Sequence, residues 1–137
     1  MQVLALDIGQ KRIGIASGST AGKVATPVKI LPTADVMGNA RTWRMVLEDY
    51  EPDLLVCGCP KSMSGAKGQQ AQRVMAAAQK IAAAAGLPVE FVDERLSSSE
   101  AKRYLREQGM SERDMRGKVD AVAASLFLAT WLEQQAG

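Results

Sequence analysis

Asp53-Leu54-Leu55-Val56-Cys57-Gly58 is an apolar run of strand length with no polar side chain from Leu54 to Cys57. A strand facing water on one side would alternate polar and apolar residues, so this one is expected to be covered on both faces, as parallel strands are. Toward the N-terminus lie three further apolar segments, Val3 to Ile8, Ile13 to Ala16 and Val24 to Leu31, separated by glycines and short polar groups. That spacing reads as an antiparallel meander. Between the meander and the buried strand a helix is expected, capped by Asn39 and running through Tyr50. Ala40, Trp43, Leu47 and Tyr50 would share one face, and Pro52 lies beyond its end.

Toward the C-terminus, Ala71, Val74, Met75, Ala78, Ile81, Ala82 and Ala85 keep helical spacing, which predicts a helix from about Gly68 to Ala85 stopped by Gly86 and Pro88. Val89 to Val92 reads as a second buried strand. Ser97-x-x-Glu100 is a capping box for a helix ending near Gly109. A last helix is expected from about Gly117 to Glu133, with Val119, Val122, Ala123, Leu126 and Thr130 on its inner stripe. The order βββ-α-β-α-β-α-α predicts a mixed five-stranded sheet, three strands antiparallel and then two parallel, flanked by helices. That is the ribonuclease H-like topology of the α/β class.

Composition bounds the chemistry. The 137 residues, with 47% apolar content, suit one domain spanning residues 1–137 with its own core. No apolar run approaches the ~20 residues that span a bilayer, and Met1-Gln2-Val3 does not resemble a signal-peptide start, so a soluble cytoplasmic protein with no membrane partner is expected. The absence of histidine excludes a Ser-His-Asp triad, a Cys-His pair and a His-ligated zinc. Cys57 and Cys59 are two apart, share a strand face, and read as small buried hydrophobes in a reducing compartment. An enzyme built from this chain must therefore use carboxylates, lysines, serines or a hard metal.

Three acids stand out. Asp7 ends the otherwise apolar first strand Val3-Leu4-Ala5-Leu6, where an unpartnered carboxylate would cost several kcal/mol. The neighbouring Gly9 leaves the backbone open to a ligand, although such an aspartate can also serve only to shape a turn. Asp93-Glu94 sits at the carboxyl end of the last strand, where ligands gather in open α/β sheets. One of the pair faces the site, and period two does not choose, because Phe91 and Val92 are both apolar. Asp120 opens the last helix at the edge of its apolar stripe, where the helix dipole alone would also favour an acid. Were Asp7, Glu94 and Asp120 to converge, each pair at ~4 Å would repel by about 4 kcal/mol at an effective dielectric near 20. A cation would relieve that repulsion, and oxygen-only ligands select Mg2+ or Mn2+. Such ions promote phosphodiester hydrolysis.

The blocks Asp7-Ile8-Gly9, Arg12-Ile13-Gly14, Gly58-Cys59-Pro60, Asp93-Glu94-Arg95-Leu96-Ser97 and Lys118-Val119-Asp120-Ala121 resemble, in this order, those of the YqgF/RuvX family. Its members are bacterial ribonuclease H-fold proteins related to the Holliday junction resolvase RuvC. The resemblance covers essentially the whole chain. It implies that Asp7, Glu94 and Asp120 occupy the family's acidic catalytic and metal-binding positions. It also implies a nuclease trimming the 5′ end of precursor 16S ribosomal RNA in ribosome biogenesis, or a Holliday junction resolvase in DNA recombination and repair. The chain departs from the family after Pro60, where many members read L-N-M-D-G and this one reads Lys61-Ser62-Met63-Ser64-Gly65. A serine thus replaces the usual loop acid. With Lys67, the loop can grip a phosphate or simply connect strand to helix.

A nucleic-acid partner, structured RNA or branched DNA, is expected from charge distribution more than from the net charge of +2. Between Arg95 and Lys118 seven basic residues face four acids, and Arg95, Lys102, Arg103, Arg106, Arg116 and Lys118 would flank the acids. A solvated helix face would carry similar charge. With 4% aromatic residues, and Trp43, Tyr50 and Phe127 expected in the core, few rings remain to stack on bases. Two-fold symmetric junctions would favour a homodimer. A nucleotide-binding kinase of the actin class needs two such folds, and 137 residues supply one. Gly18-x-x-x-Gly22-Lys23-Val24 is one residue short of a phosphate loop and lacks its Ser/Thr. A non-catalytic binding module of the same fold is the remaining alternative.

Overall fold

The computed structural model describes residues 1–59, 65–93, 103, 106, 107, 109, 111 and 118–135, with 65–67 in backbone only. Five strands, β1 (Gln2–Ile8), β2 (Arg12–Ser19), β3 (Ala25–Pro32), β4 (Leu54–Cys59) and β5 (Val89–Asp93), form one sheet in the order β3-β2-β1-β4-β5. β1, β2 and β3 are antiparallel, whereas β4 pairs parallel with both β1 and β5. This is the ribonuclease H-like arrangement expected from the sequence. β4 is buried along its whole length, as its unbroken apolar run requires. At the outer edge, the β2–β3 register shifts between Ile15 and Ala16, so that Val28, between Pro27 and Lys29, bulges out of the ladder.

The pleat sorts side chains onto two faces. Leu4, Leu6, Ile13, Ile15, Leu55 and Cys57 pack on one side beneath α2 (Arg41–Tyr50) and α3 (Gly65–Ala85). Val3, Ala5, Ala16, Leu54 and Val56 pack on the other against α4 (Val119–Gln134). Burying two faces at roughly 25 cal/mol per Å² of apolar surface is what holds so small a sheet between its helices. The face toward α4 is cut low along β2, where Gly14, Ala16 and Gly18 alternate with larger residues. A Cβ on Gly18 would come within 3.0 Å of Leu132 Cδ1, and one on Gly14 within 2.2 Å of the Asp120 backbone. The small side chains thus form a trough in which α4 lies.

Local structure differs from the sequence reading at four points. A one-turn helix, α1 (Thr33–Met37), precedes α2; five residues are too few to register as periodicity. Asn39 does not cap α2: it follows α1 in the left-handed region at φ 54°, and Ala40 is the N-cap. The buried stripe of α2 is Trp43 and Val46 with Leu47 against it, and Tyr50 is exposed rather than in the core. On α4 the sheet-facing stripe is Ala124, Phe127, Leu128, Trp131 and Leu132. Val122 and Ala123, with Val119 and Leu126, form a separate small cluster, and Thr130 is exposed. The helix is apolar nearly all round, so helical spacing alone fits more than one stripe. The expected helix over residues 97–109 lies largely outside the described residues.

Both cysteines are buried on the face toward α3, with Cys59 Sγ 3.9 Å from the Ala71 carbonyl oxygen. Burial, and secondarily the neighbouring Cys59, push the Cys57 thiol up to about 12. The protonated thiol is the species the core accepts, so its stabilising contribution is complete below pH 9 and is lost as the pH climbs from 9 toward 12. Three pH units at ~1.4 kcal/mol each amount to about 4 kcal/mol. Chemical denaturation across that range should show the parent protein losing up to this much more stability than Cys57→Ala. Native protein at pH 8 should leave Cys57 unmodified by a thiol reagent, and denaturation should expose it.

Candidate active site

Asp7 lies one residue from the C-terminal end of β1, directly opposite Gly14 of β2. Opposed residues of an antiparallel pair point to the same face. At Gly14 that face meets the backbone of Asp120, in the first turn of α4. The missing side chain of Gly14 therefore lets the start of α4 settle beside Asp7. Both half-buried carboxylates open onto one cavity of about 360 Å³, with the turn residues Gly9, Gln10, Lys11 and Arg12 as its remaining walls. The distance between the two acids along the sequence is closed by a glycine.

The turn between β1 and β2 is held rigidly. Gly9 N–H donates to the Arg12 carbonyl at 3.0 Å, Thr33 Oγ1 donates to the Gly9 carbonyl at 2.7 Å, and Thr33 N–H donates to the Lys11 carbonyl at 2.9 Å. Gly9 is required here because a Cβ would stand 2.8 Å from the Arg12 carbonyl oxygen. Arg12 Nε donates to Asp120 Oδ2 at 2.7 Å. With the arginine side chain 60% exposed, solvent leaves that ion pair worth at most about 1 kcal/mol. Its significance is positional, since it ties the start of α4 to the turn and fixes the Asp120 carboxylate at the cavity.

Of the residues singled out in the sequence, the structure brings Asp7 and Asp120 together. Lys118, exposed, is the N-cap of α4, two residues from Asp120. Arg103 and Arg106 are exposed and helical, and neither lines the cavity. Glu94, Lys61, Arg95, Lys102 and Arg116 lie outside the described residues, as does the side chain of Lys67. Along β5, Phe91 packs on the α3 face and Val92 on the α4 face, so strand alternation puts Asp93 on the α3 face. Among the described residues no three carboxylates or thiols gather at one point. The cations at the cavity are Lys11 and Arg12, which charge counting over residues 95–118 passed over. Their signal was position: two basic residues in the turn immediately after the out-of-place Asp7.

Comparison with known proteins finds similarity along nearly the whole chain. The model of the RuvX family, described as Holliday junction resolvase, matches residues 1–134. A protein of Anaeromyxobacter sp. (strain Fw109-5) named "Putative pre-16S rRNA nuclease" is 39% identical over 133 residues, covering 97% of each chain. One of the same name from Acaryochloris marina (strain MBIC 11017) is 36% identical over 135 residues, 98% of this chain and 94% of its own. Among solved structures, Thermus thermophilus RuvC in complex with a Holliday junction substrate superposes with a TM-score of 0.53 at 17% identity, covering 96% of this chain and 93% of that one. The fowlpox virus Holliday junction resolvase gives 0.57 at 13%, covering 98% and 100%. The structural likenesses establish the fold. Family match and sequence identity along nearly the full length go further: this protein belongs to the RuvX family of Holliday junction resolvases.

Proposed function

We propose that this chain is a nuclease hydrolysing a phosphodiester in structured nucleic acid, with 5′-end processing of precursor 16S ribosomal RNA as its task. The observation that carries the reading is the cavity shared by Asp7 and Asp120 at the carboxyl end of β1. The relatives' name favours the RNA, while the family description favours the second reading, cleavage of a Holliday junction. A junction's two-fold symmetry would then call for a homodimer.

The donor set is all oxygen and suits a hard cation. Mg2+ or Mn2+ would be held by Asp7 and Asp120 together with Glu94, the third acid that the family resemblance implies. Such an ion, when bound, polarises the scissile phosphodiester and activates water. The remaining work falls to the chain itself. Lys11 and Arg12 offset the approach of a polyanion to two carboxylates, and Arg12 keeps Asp120 aimed into the cavity. The turn, pinned through Thr33, holds these groups in place without reorganisation during reaction. Binding through backbone phosphates makes affinity fall steeply with salt.

Precursor ribosomal RNA and a four-way DNA junction, incubated in parallel with the purified protein in Mg2+ and in chelator, test both readings. Cleavage of the RNA in Mg2+ alone is expected. Cleavage only of the junction selects the second reading, and cleavage in chelator removes the metal. Binding without cleavage of either substrate leaves a non-catalytic binding module.

A further inference from the structure

The Gly9–Arg12 turn is a ridge between two cavities. On its far side lies a second hollow of about 490 Å³, bounded by α1 and α3. Gly9 and Gln10 line both spaces, so a strand lying across the ridge at the first cavity enters the second. The two differ in chemistry. Among the described residues, the first holds two carboxylates and two cations, whereas Arg73 is the one charged side chain lining the second. Ile8, Met37 and Val74 give the hollow an apolar wall, with Met37 exposed there despite its hydrophobicity. Thr33 and Gln70 contribute hydroxyl and amide groups.

We propose that this hollow is a nucleotide subsite, taking one unpaired nucleotide of the substrate strand adjacent to the phosphate that is cut. The proposal rests on the nuclease reading above for the location of that phosphate. The volume lies within the ~300–1,000 Å³ usual for small-ligand sites, too confined for a protein element and suited to a splayed-out base with its sugar. An aliphatic wall accepts the flat face of a base without selecting its identity. The amides of Gln10 and Gln70 both donate and accept, as base edges require. Arg73, with no carboxylate among the described lining residues, is placed to pair with phosphate. A base held this way needs no aromatic platform, in keeping with the chain's scarcity of rings. The ridge itself is tied to α1 through Thr33, so both cavities keep a fixed spacing.

Fluorescence anisotropy with the full chain carrying Asp7→Asn, so that nothing is cut, tests the subsite. The probes are a fluorescein-labelled RNA hairpin with a short single-stranded 5′ flank and the same hairpin blunt-ended. Arg73→Glu removes the cation and Ala77→Phe fills the hollow without changing charge. Each should weaken the flanked hairpin about tenfold while leaving the blunt one within about twofold. Thermal melts of both variants establish that they fold. Equal loss on both probes, or loss on neither, overturns the proposal. The nuclease reading fails separately: selective loss in a protein whose parent cuts neither substrate keeps the subsite and removes the enzyme. Cleavage by the parent with unselective variants does the reverse.

Discussion

Asp7→Asn is expected to lower cleavage at least about 100-fold while leaving the melting temperature unchanged or slightly raised. Asparagine keeps the shape of the aspartate but removes one of the two carboxylate charges facing a single cavity. If the acid served packing or turn geometry, the substitution would be near neutral for activity, or would cost stability and activity together. If it serves catalysis, the folded state is relieved of like-charge repulsion, and the reaction loses a ligand for its cation and the negative charge that holds it. Nucleic-acid affinity should stay the same or rise, because a negative group has left a polyanion's path. The measurement is a cleavage time course on precursor RNA, with anisotropy binding and a thermal melt on the same samples. Full activity in the variant would return Asp7 to a structural role.

Among the glycines whose surroundings are described, Gly14→Ala should be the most damaging. Its Cβ would stand 2.2 Å from the carbonyl carbon and oxygen of Asp120 and 2.6 Å from the nitrogen of Ala121, all backbone atoms with no rotamer through which to yield. Ordinary carbon contacts need ~3.5 Å, so the start of α4 must lift by about 1 Å or more. That helix carries Phe127, Leu128, Trp131 and Leu132 into the core, and lifting it loosens one whole face of the sheet. A cost of about 3 kcal/mol or more is expected, with a melting temperature lower by ~10 °C or more. Asp120 moves with the helix and away from Asp7, so activity should fall even in the fraction that stays folded. The two variants therefore separate by experiment: Asp7→Asn gives a stable protein without activity, and Gly14→Ala gives one that loses both. A Gly14→Ala protein as stable as its parent would show that α4 is not seated in the β2 trough.

The strands were legible because their signal is strong and local. Leu54 to Cys57 could only be a doubly covered strand, and the meander announced itself through its glycine-separated apolar runs. Helix faces were legible only where polar residues contrast with apolar ones. α3 presents Ala71, Val74, Ala78, Ile81 and Ala82 inward as its spacing predicts, whereas the apolar circumference of α4 left its stripe undetermined. At the site, Asp7 was visible as an acid in the wrong company and Asp120 as one at a helix start. Their meeting was not, because it depends on Gly14, whose reason for being glycine is a contact with a residue 106 positions away. The small-large alternation Gly14-Ile15-Ala16-Ser17-Gly18 does carry that signal, once it is known that a helix crosses β2. Arg12 escaped for the same reason, its partner being fixed by tertiary structure alone.

The bulge in β3 bears on self-association. An outer strand with regular spacing offers its unpaired amides and carbonyls as a template on which another chain can polymerise. Here Pro27 and Pro32 have no amide hydrogen to lend, Lys29 adds a charge, and Val28 breaks the repeat that a docking strand would have to match. Continuous sheet growth from the β3 side is thereby blocked, which leaves β5 as the edge at which the sheet could still be extended.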